Sequence, residues 1–406
     1  MKVLQINAVN KISSTGRNAY ELSEYLWDNG HECINAYSKG VSVDKAREFV
    51  IGSGWDTKFH GLLSRIFGTQ GYFSKSATKK LLHFMDNYKP NIVVLNNLHG
   101  NFINLPLLLK YLAKNDIATV AVLHDCWFFT GKCCHYTVDG CYKWQDKCGN
   151  CPALKKYNKS WLFDRTAKML SDKKKLFGAI PRLAVVGVSD WLINEAKKAP
   201  VFENAKVFKR IYNWIDTETF KPQNTDELRE SLGFRDKKVI LSVASGWSKE
   251  KGIDTILELS EKLNSDEKLL LVGNLPSGIG LNKNIIHIPA TNSVEELARY
   301  YSLADVFFQP SLEETFGKVT AEALSCGTPA VCFNSTANPE LVGDGCGAVA
   351  KIGNTNDMLL KIREVLGNGK DFYSENCRAF AEKNFNKQNN LHEYVKLFNQ
   401  LLGEDL

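Results

Sequence analysis

The 406-residue chain has no apolar run approaching the ~20 residues that a membrane-spanning helix needs, so no segment reads as a transmembrane span. It has no internal repeat and no low-complexity tract. Neither sign of charge dominates: 51 Lys and Arg face 45 Asp and Glu, a formal net charge of +6. The lysine clusters Lys155-Lys156, Lys173-Lys174-Lys175 and Lys197-Lys198 lack the interleaved aromatics of a nucleic-acid stripe. Nucleic acid is therefore not an expected partner. The clusters read as solvated helix faces, with attraction to an anionic membrane surface as the functional alternative. The opening residues, Met1 to Val9, turn polar too quickly for a secretory signal and read instead as a first buried strand. The expected compartment is the cytoplasm, with peripheral contact at the inner face of the membrane.

What is present is a soluble globular composition, 44% hydrophobic and 24% charged. The length implies two domains of about 200 residues each. The most informative stretch runs from Asp305 to Phe333. Two strand-like runs, Val306-Phe307-Phe308-Gln309 and Ala330-Val331-Cys332-Phe333, flank a loop, a helix and a glycine stop. A loop that opens a helix after a parallel strand offers unpaired backbone N–H groups and the positive end of the helix dipole, which suits a phosphate. Glu314 in the loop and Glu322 on the helix are eight residues apart. That is roughly two turns at ~3.6 residues per turn, so both carboxylates can address one ligand.

The string Pro310-Ser311, Glu314, Phe316-Gly317, Glu322-Ala323, Cys326-Gly327-Thr328-Pro329 resembles the donor-site signature of retaining glycosyltransferases of family 4. The resemblance implies an α/β GT-B fold, two Rossmann-like domains with an interdomain cleft. It implies that Glu322 holds the nucleotide ribose, that the Phe316-Gly317-Lys318-Val319 backbone holds the diphosphate, and that Glu314 sits by the donor sugar. The implied domains are residues 1–212 on the acceptor side and 213–387 on the donor side, with a C-terminal helix, 388–406, returning to the first domain.

Along the first domain, a βαβ opening carries Gly16 at its first strand-to-helix turn. Family members usually carry two glycines there, near the donor phosphate; here Thr15 precedes Gly16. The strand Thr119–Leu123 ends in His124-Asp125, at the carboxyl end where ligands bind in doubly wound sheets. The resemblance makes His124 an active-site residue, with Asp125 beside it. In the second domain Lys251, before Gly252, matches the family's diphosphate-binding lysine. The arginine normally found five positions earlier is absent, and position 246 is glycine.

Six of the eleven cysteines fall between Cys126 and Cys151. Cys148-Gly149-Asn150-Cys151 is a CxxC pair, and Cys134 and Cys141 complete a set of four thiolates with zinc-like spacing. Cys133 and His135 are substitute ligands; free thiols and redox chemistry are the alternatives. The segment reads as having little core of its own, so that a structural zinc would supply its folding energy. His124-Asp125-Cys126-Trp127 together with these cysteines resembles a subset of the family from capsule, O-antigen and exopolysaccharide synthesis.

The implied activity is transfer of a sugar, with retention, from UDP- or GDP-sugar to a hydroxyl of a glycan or lipid-linked glycan. The sequence has no Asp-x-Asp motif, and cations and helix N-termini can stabilise the leaving diphosphate without a metal cofactor. A GT-B nucleotide-sugar epimerase and a non-catalytic nucleotide-sugar or zinc-binding partner are the rival readings.

Overall fold

The apolar runs become the strands of two sheets in which every pairing is parallel. The first contains β1 (Lys2–Asn10), β2 (Glu32–Gly40), β3 (Glu48–Val50), β4 (Ile92–Leu95), β5 (Ala118–Leu123), β6 (Leu183–Gly187) and β7 (Val207–Arg210). Its order is β3-β2-β1-β4-β5-β6-β7. The second contains β8 (Lys238–Gly246), β9 (Glu267–Asn274), β10 (Ile285–Ile288), β11 (Val306–Gln309), β12 (Ala330–Phe333) and β13 (Gly347–Ala350). Its order is β10-β9-β8-β11-β12-β13. The residues of β4, β5, β11 and β12 are buried throughout, as expected for strands covered on both faces by helices.

The structure is a computed structural model and describes residues 1–291 and 293–403. It divides into one unit of Met1–Ile211 with Leu391–Leu406 and a second of Tyr212–Asn390. The last helix, Lys387–Leu402, passes from the second unit to the first. There Leu391, Leu397 and Phe398 are buried, and Glu393 pairs with Lys209 at 2.7 Å.

In each sheet the strand order reverses beside the first strand: β2 and β4 flank β1, and β9 and β11 flank β8. The carboxyl ends of these strands form a topological switch point, the ligand-binding crevice of open α/β sheets.

After β12 the chain makes one 3₁₀ turn, Pro339–Leu341, where the Asn338 amide donates to the Ser311 carbonyl at 3.1 Å. Two local expectations differ. Lys173, expected on a solvated helix face, is buried. The cysteine-rich segment also has a core. Phe129, Tyr136 and Trp144 are buried against one another with ring centroids 4.9 and 5.2 Å apart, and the Tyr136 hydroxyl donates to Glu195.

Candidate functional site

In the second unit, the loops after β8 and β11 each end in a left-handed glycine that opens a helix. Gly252 (φ 83°) opens Ile253–Glu261, and Gly317 (φ 80°) opens Lys318–Ser325. Neither helix receives a side-chain cap, so its first-turn N–H groups are not taken up that way. The two loops touch through their backbones. A Cβ on Gly252 would stand 2.3 Å from the Pro310 carbonyl oxygen, and Leu312 N–H donates to the Glu250 carbonyl at 3.0 Å. Lys251 and Glu314 tie the same two loops together by an ion pair, in which the lysine is 41% and the glutamate 14% exposed.

Glu322 lies on the second turn of Lys318–Ser325 and is buried. Its Oε2 accepts the Tyr301 hydroxyl at 2.9 Å. Burial, and then the Glu322 charge, push that hydroxyl well above its ordinary pKa, so it remains a donor and holds the carboxylate in place. The Phe316 ring is buried between Tyr212 and Phe385, at 5.8 and 5.5 Å, so only its backbone is presented at the loop. Lys318 and Val319 follow half-buried as the first helical residues. At Gly246, a Cβ would meet nothing closer than the Asn274 carbonyl at 3.9 Å. The position has room for a side chain.

The first unit is furnished differently. Helix Ser13–Asp28 also starts without a side-chain cap; Lys11 before it and its first residue, Ser13, are in left-handed conformations. Gly16 lies in its first turn, where a Cβ would stand 3.1–3.3 Å from Val9 and Lys11; the glycine lets the helix start press onto the end of β1. The loop after β4 joins it, with Ala8 N–H donating to the Asn97 carbonyl at 2.9 Å. Gly16 and His124 sit at the ends of β1 and β5, with β4 between them.

His124 Nε2 is 3.2 Å from Asn96 Oδ1. Burial pushes the imidazole down to about 4 despite the nearby Asp125, so the ring is neutral at pH 7. Asp125 turns away from its sequence neighbour to His99, whose Nε2 lies 2.8 Å from its Oδ2, and its other oxygen accepts Trp127 N–H at 2.8 Å. Burial raises the carboxyl, but His99 and these hydrogen bonds outweigh it and leave it at about 2. Sequence reasoning missed His99. The signal was its place in Asn96-Asn97-Leu98-His99, directly after β4, the strand paired with β5.

His99 Nε2, Asp125 Oδ2 and Cys134 Sγ lie within 4.8 Å of one another, a set that can in principle hold a metal. The 2.8 Å His–Asp separation is that of a hydrogen bond. Of the four thiols assigned to zinc from spacing, Cys141, Cys148 and Cys151 line one cavity of about 20 Å³, and Cys133 lines it with them. Cys134 is not part of that lining; its sulfur is 3.8 Å from His99 Nε2.

Residues 224–396 match the family described as glycosyl transferases group 1, and this segment makes up most of the second unit. The chain is 25% identical to N-acetyl-alpha-D-glucosaminyl L-malate synthase of Bacillus anthracis over 247 residues. The match covers 56% of this chain and 62% of that protein, less than two thirds of its length. Among solved structures, the fold is similar to sucrose-phosphate synthase of Thermosynechococcus elongatus, with a TM-score of 0.69 at 15% identity, covering all of both chains. It is also similar to Anabaena HepE in complex with UDP, with a TM-score of 0.66 at 15% identity, covering 98% of this chain and all of that one. These likenesses show the fold: two parallel α/β Rossmann-like units of the GT-B type.

Proposed function

We propose that the chain is a retaining glycosyltransferase of the family 4 type. It moves a sugar from UDP- or GDP-sugar to a hydroxyl of a glycan or lipid-linked glycan in cell-surface polysaccharide synthesis. The observation that carries this reading is the Lys251–Glu314 pair, which joins two loops that each open an uncapped helix at the switch point of the second unit. The UDP in the HepE structure supports a nucleotide donor for this chain as well.

The roles follow from charge. Loss of a nucleoside diphosphate places developing negative charge on phosphate oxygens. The Lys251 ammonium and the first-turn N–H groups after Gly252 and Gly317 are preorganised to meet it. An arriving diphosphate competes for Lys251, which releases the Glu314 carboxylate to accept hydrogen bonds from sugar hydroxyls. Glu322, steadied by Tyr301, accepts from the ribose. In the first unit, neutral His124 is assigned to hydrogen bonding with a sugar hydroxyl. Asp125, ionised and tied to His99, fixes the backbone at the end of β5. The departing phosphate takes the acceptor proton, as front-face retention requires.

The test is a thermal-shift panel of UDP, GDP and their sugars on the wild type and Glu322→Ala. A nucleotide at ~100 times its dissociation constant adds about 2.7 kcal/mol of stability. The expected result is a shift with one base that disappears in the variant. No shift with any nucleotide would overturn the donor assignment. A shift without sugar transfer to any glycan acceptor would favour a binding role.

A further inference from the structure

The cysteine-rich segment brings four thiols, two of them from one turn, to the lining of one small space, although no three of their sulfurs lie within 4.8 Å of one another. Cys133, Cys141, Cys148 and Cys151 all line a cavity of about 20 Å³, enough for one water-sized occupant. Cys133 and Cys151 are hydrogen-bonded through their sulfurs. The Cys148 sulfur accepts the Gly131 N–H, and the Cys151 sulfur accepts the Ala153 N–H. Such donors stabilise thiolates and orient metal ligands. The Cys148–Cys151 turn is fixed through left-handed Gly149 and Asn150, whose carbonyls accept the Lys143 ammonium at 3.1 and 3.0 Å. Trp144 lines the cavity as well, and its indole N–H is buried with no acceptor among the described residues.

Two buried lysines stand beside this set. Lys132 donates to the carbonyls of Ala153, Leu154 and Lys156 at 2.8–3.2 Å. Lys173 donates to the carbonyls of Trp127 and Thr130. Both lie within electrostatic reach of thiols and of one carboxylate each: Lys132 of Cys151, Cys133, Asp164 and Cys134, and Lys173 of Cys148, Cys134, Asp125 and Cys133. Burying two ammonium groups against carbonyls alone is costly unless negative charge lies close by. Four thiolates around a divalent cation carry a net charge of −2, which two lysines balance. Asp164 beside Lys132 and Asp125 beside Lys173 add further negative charge.

We propose that Cys133, Cys141, Cys148 and Cys151 form a structural four-thiolate zinc site, neutralised by Lys132 and Lys173. The neighbouring cysteine, Cys134, is excluded from it and belongs to the His99–Asp125 cluster. The site is closed, with all four ligands from the protein, so it staples the segment that follows β5 rather than taking part in chemistry. It stands independently of the assigned transferase activity.

The test is zinc content of the full chain after dialysis against a chelator, by mass spectrometry, for the wild type, Cys133→Ser and Cys134→Ser. The expected result is one zinc per wild-type chain, unchanged in Cys134→Ser and reduced at least ~10-fold in Cys133→Ser. Cobalt substitution of the wild type covers the case in which Cys133→Ser does not fold. It should give the charge-transfer and ligand-field bands of a tetrahedral four-thiolate site. Zinc lost from Cys134→Ser but kept by Cys133→Ser would overturn the ligand assignment, as would a cobalt spectrum showing a nitrogen or oxygen ligand. A metal-free wild type would overturn the site itself, whether all eleven cysteines titrate as free thiols or fewer do because of a disulfide.

Discussion

The two Rossmann-like units share a wiring and differ in what they place at it. Each has a parallel sheet with its order reversing beside the first strand, and each has glycine near an uncapped helix start. At the second unit's crevice stand an ammonium and two helix N-termini, with carboxylates held by Lys251 and Tyr301. The proposed function assigns that environment to a diphosphate and a ribose. At the first unit's strand ends stand a neutral imidazole, amide side chains and a carboxylate already committed to His99. The proposed function assigns that environment to neutral hydroxyls. Topology supplies the crevice, and a handful of side chains decides its ligand.

The largest expected break in this comparison comes from the second unit. Under the proposed function, Lys251→Ala removes the cation assigned to the leaving diphosphate and should lower kcat/KM for the donor by ~10²–10³-fold, measured by release of the nucleoside diphosphate. His124→Ala, in the first unit, should lower kcat by ~10²-fold through loss of a substrate hydrogen bond. It should leave the nucleotide-induced thermal shift intact. A loss of nucleotide binding in that variant would erase the distinction between the units.

Gly252→Ala tests the contact between the two loops. Its φ of 83° and the 2.3 Å approach to Pro310 leave no room for a methyl group, so the chain should lose about 1–3 kcal/mol in denaturant unfolding, and nucleotide binding with it.

The smallest effect is in pH. His60 is buried, and its ring is pushed down to about 4 by that burial. Its Nε2 accepts Gly71 N–H at 3.2 Å, leaving Nδ1–H to donate to Ser74 at 2.8 Å, an arrangement only the neutral ring can make. Because the folded pKa lies below the unfolded one, stability is complete above about 6.5 and falls on acidification towards 4. Between pH 7 and 6 the loss should stay under about 1 kcal/mol for this histidine, and urea unfolding of His60→Gln should show a flatter pH slope.

Much of this was legible in the sequence, for local reasons. Strand, glycine, helix and second strand follow one another within a few residues in the segment around Gly317, and the two carboxylates lie on that same segment. What stayed hidden was non-local. The partner of Asp125 is His99, 26 residues earlier, because parallel strands bring their ends together regardless of chain distance. The Tyr301 hydroxyl that fixes Glu322 lies a helix and a strand away. Spacing could count the cysteines but could not say which of the adjacent Cys133 and Cys134 faces the cavity, since neighbours on an irregular chain can diverge. Nor could a run of three lysines reveal that its first member is buried.

The most direct test of the account is calorimetric titration of the full chain with UDP and GDP and with uridine and guanosine, for the wild type and Lys251→Ala. The account predicts that one diphosphate binds at least ~10-fold tighter than its bare nucleoside, and that Lys251→Ala removes most of this difference while nucleoside affinity is unchanged. Equal affinities for nucleoside and diphosphate, or a difference that survives in Lys251→Ala, would contradict it.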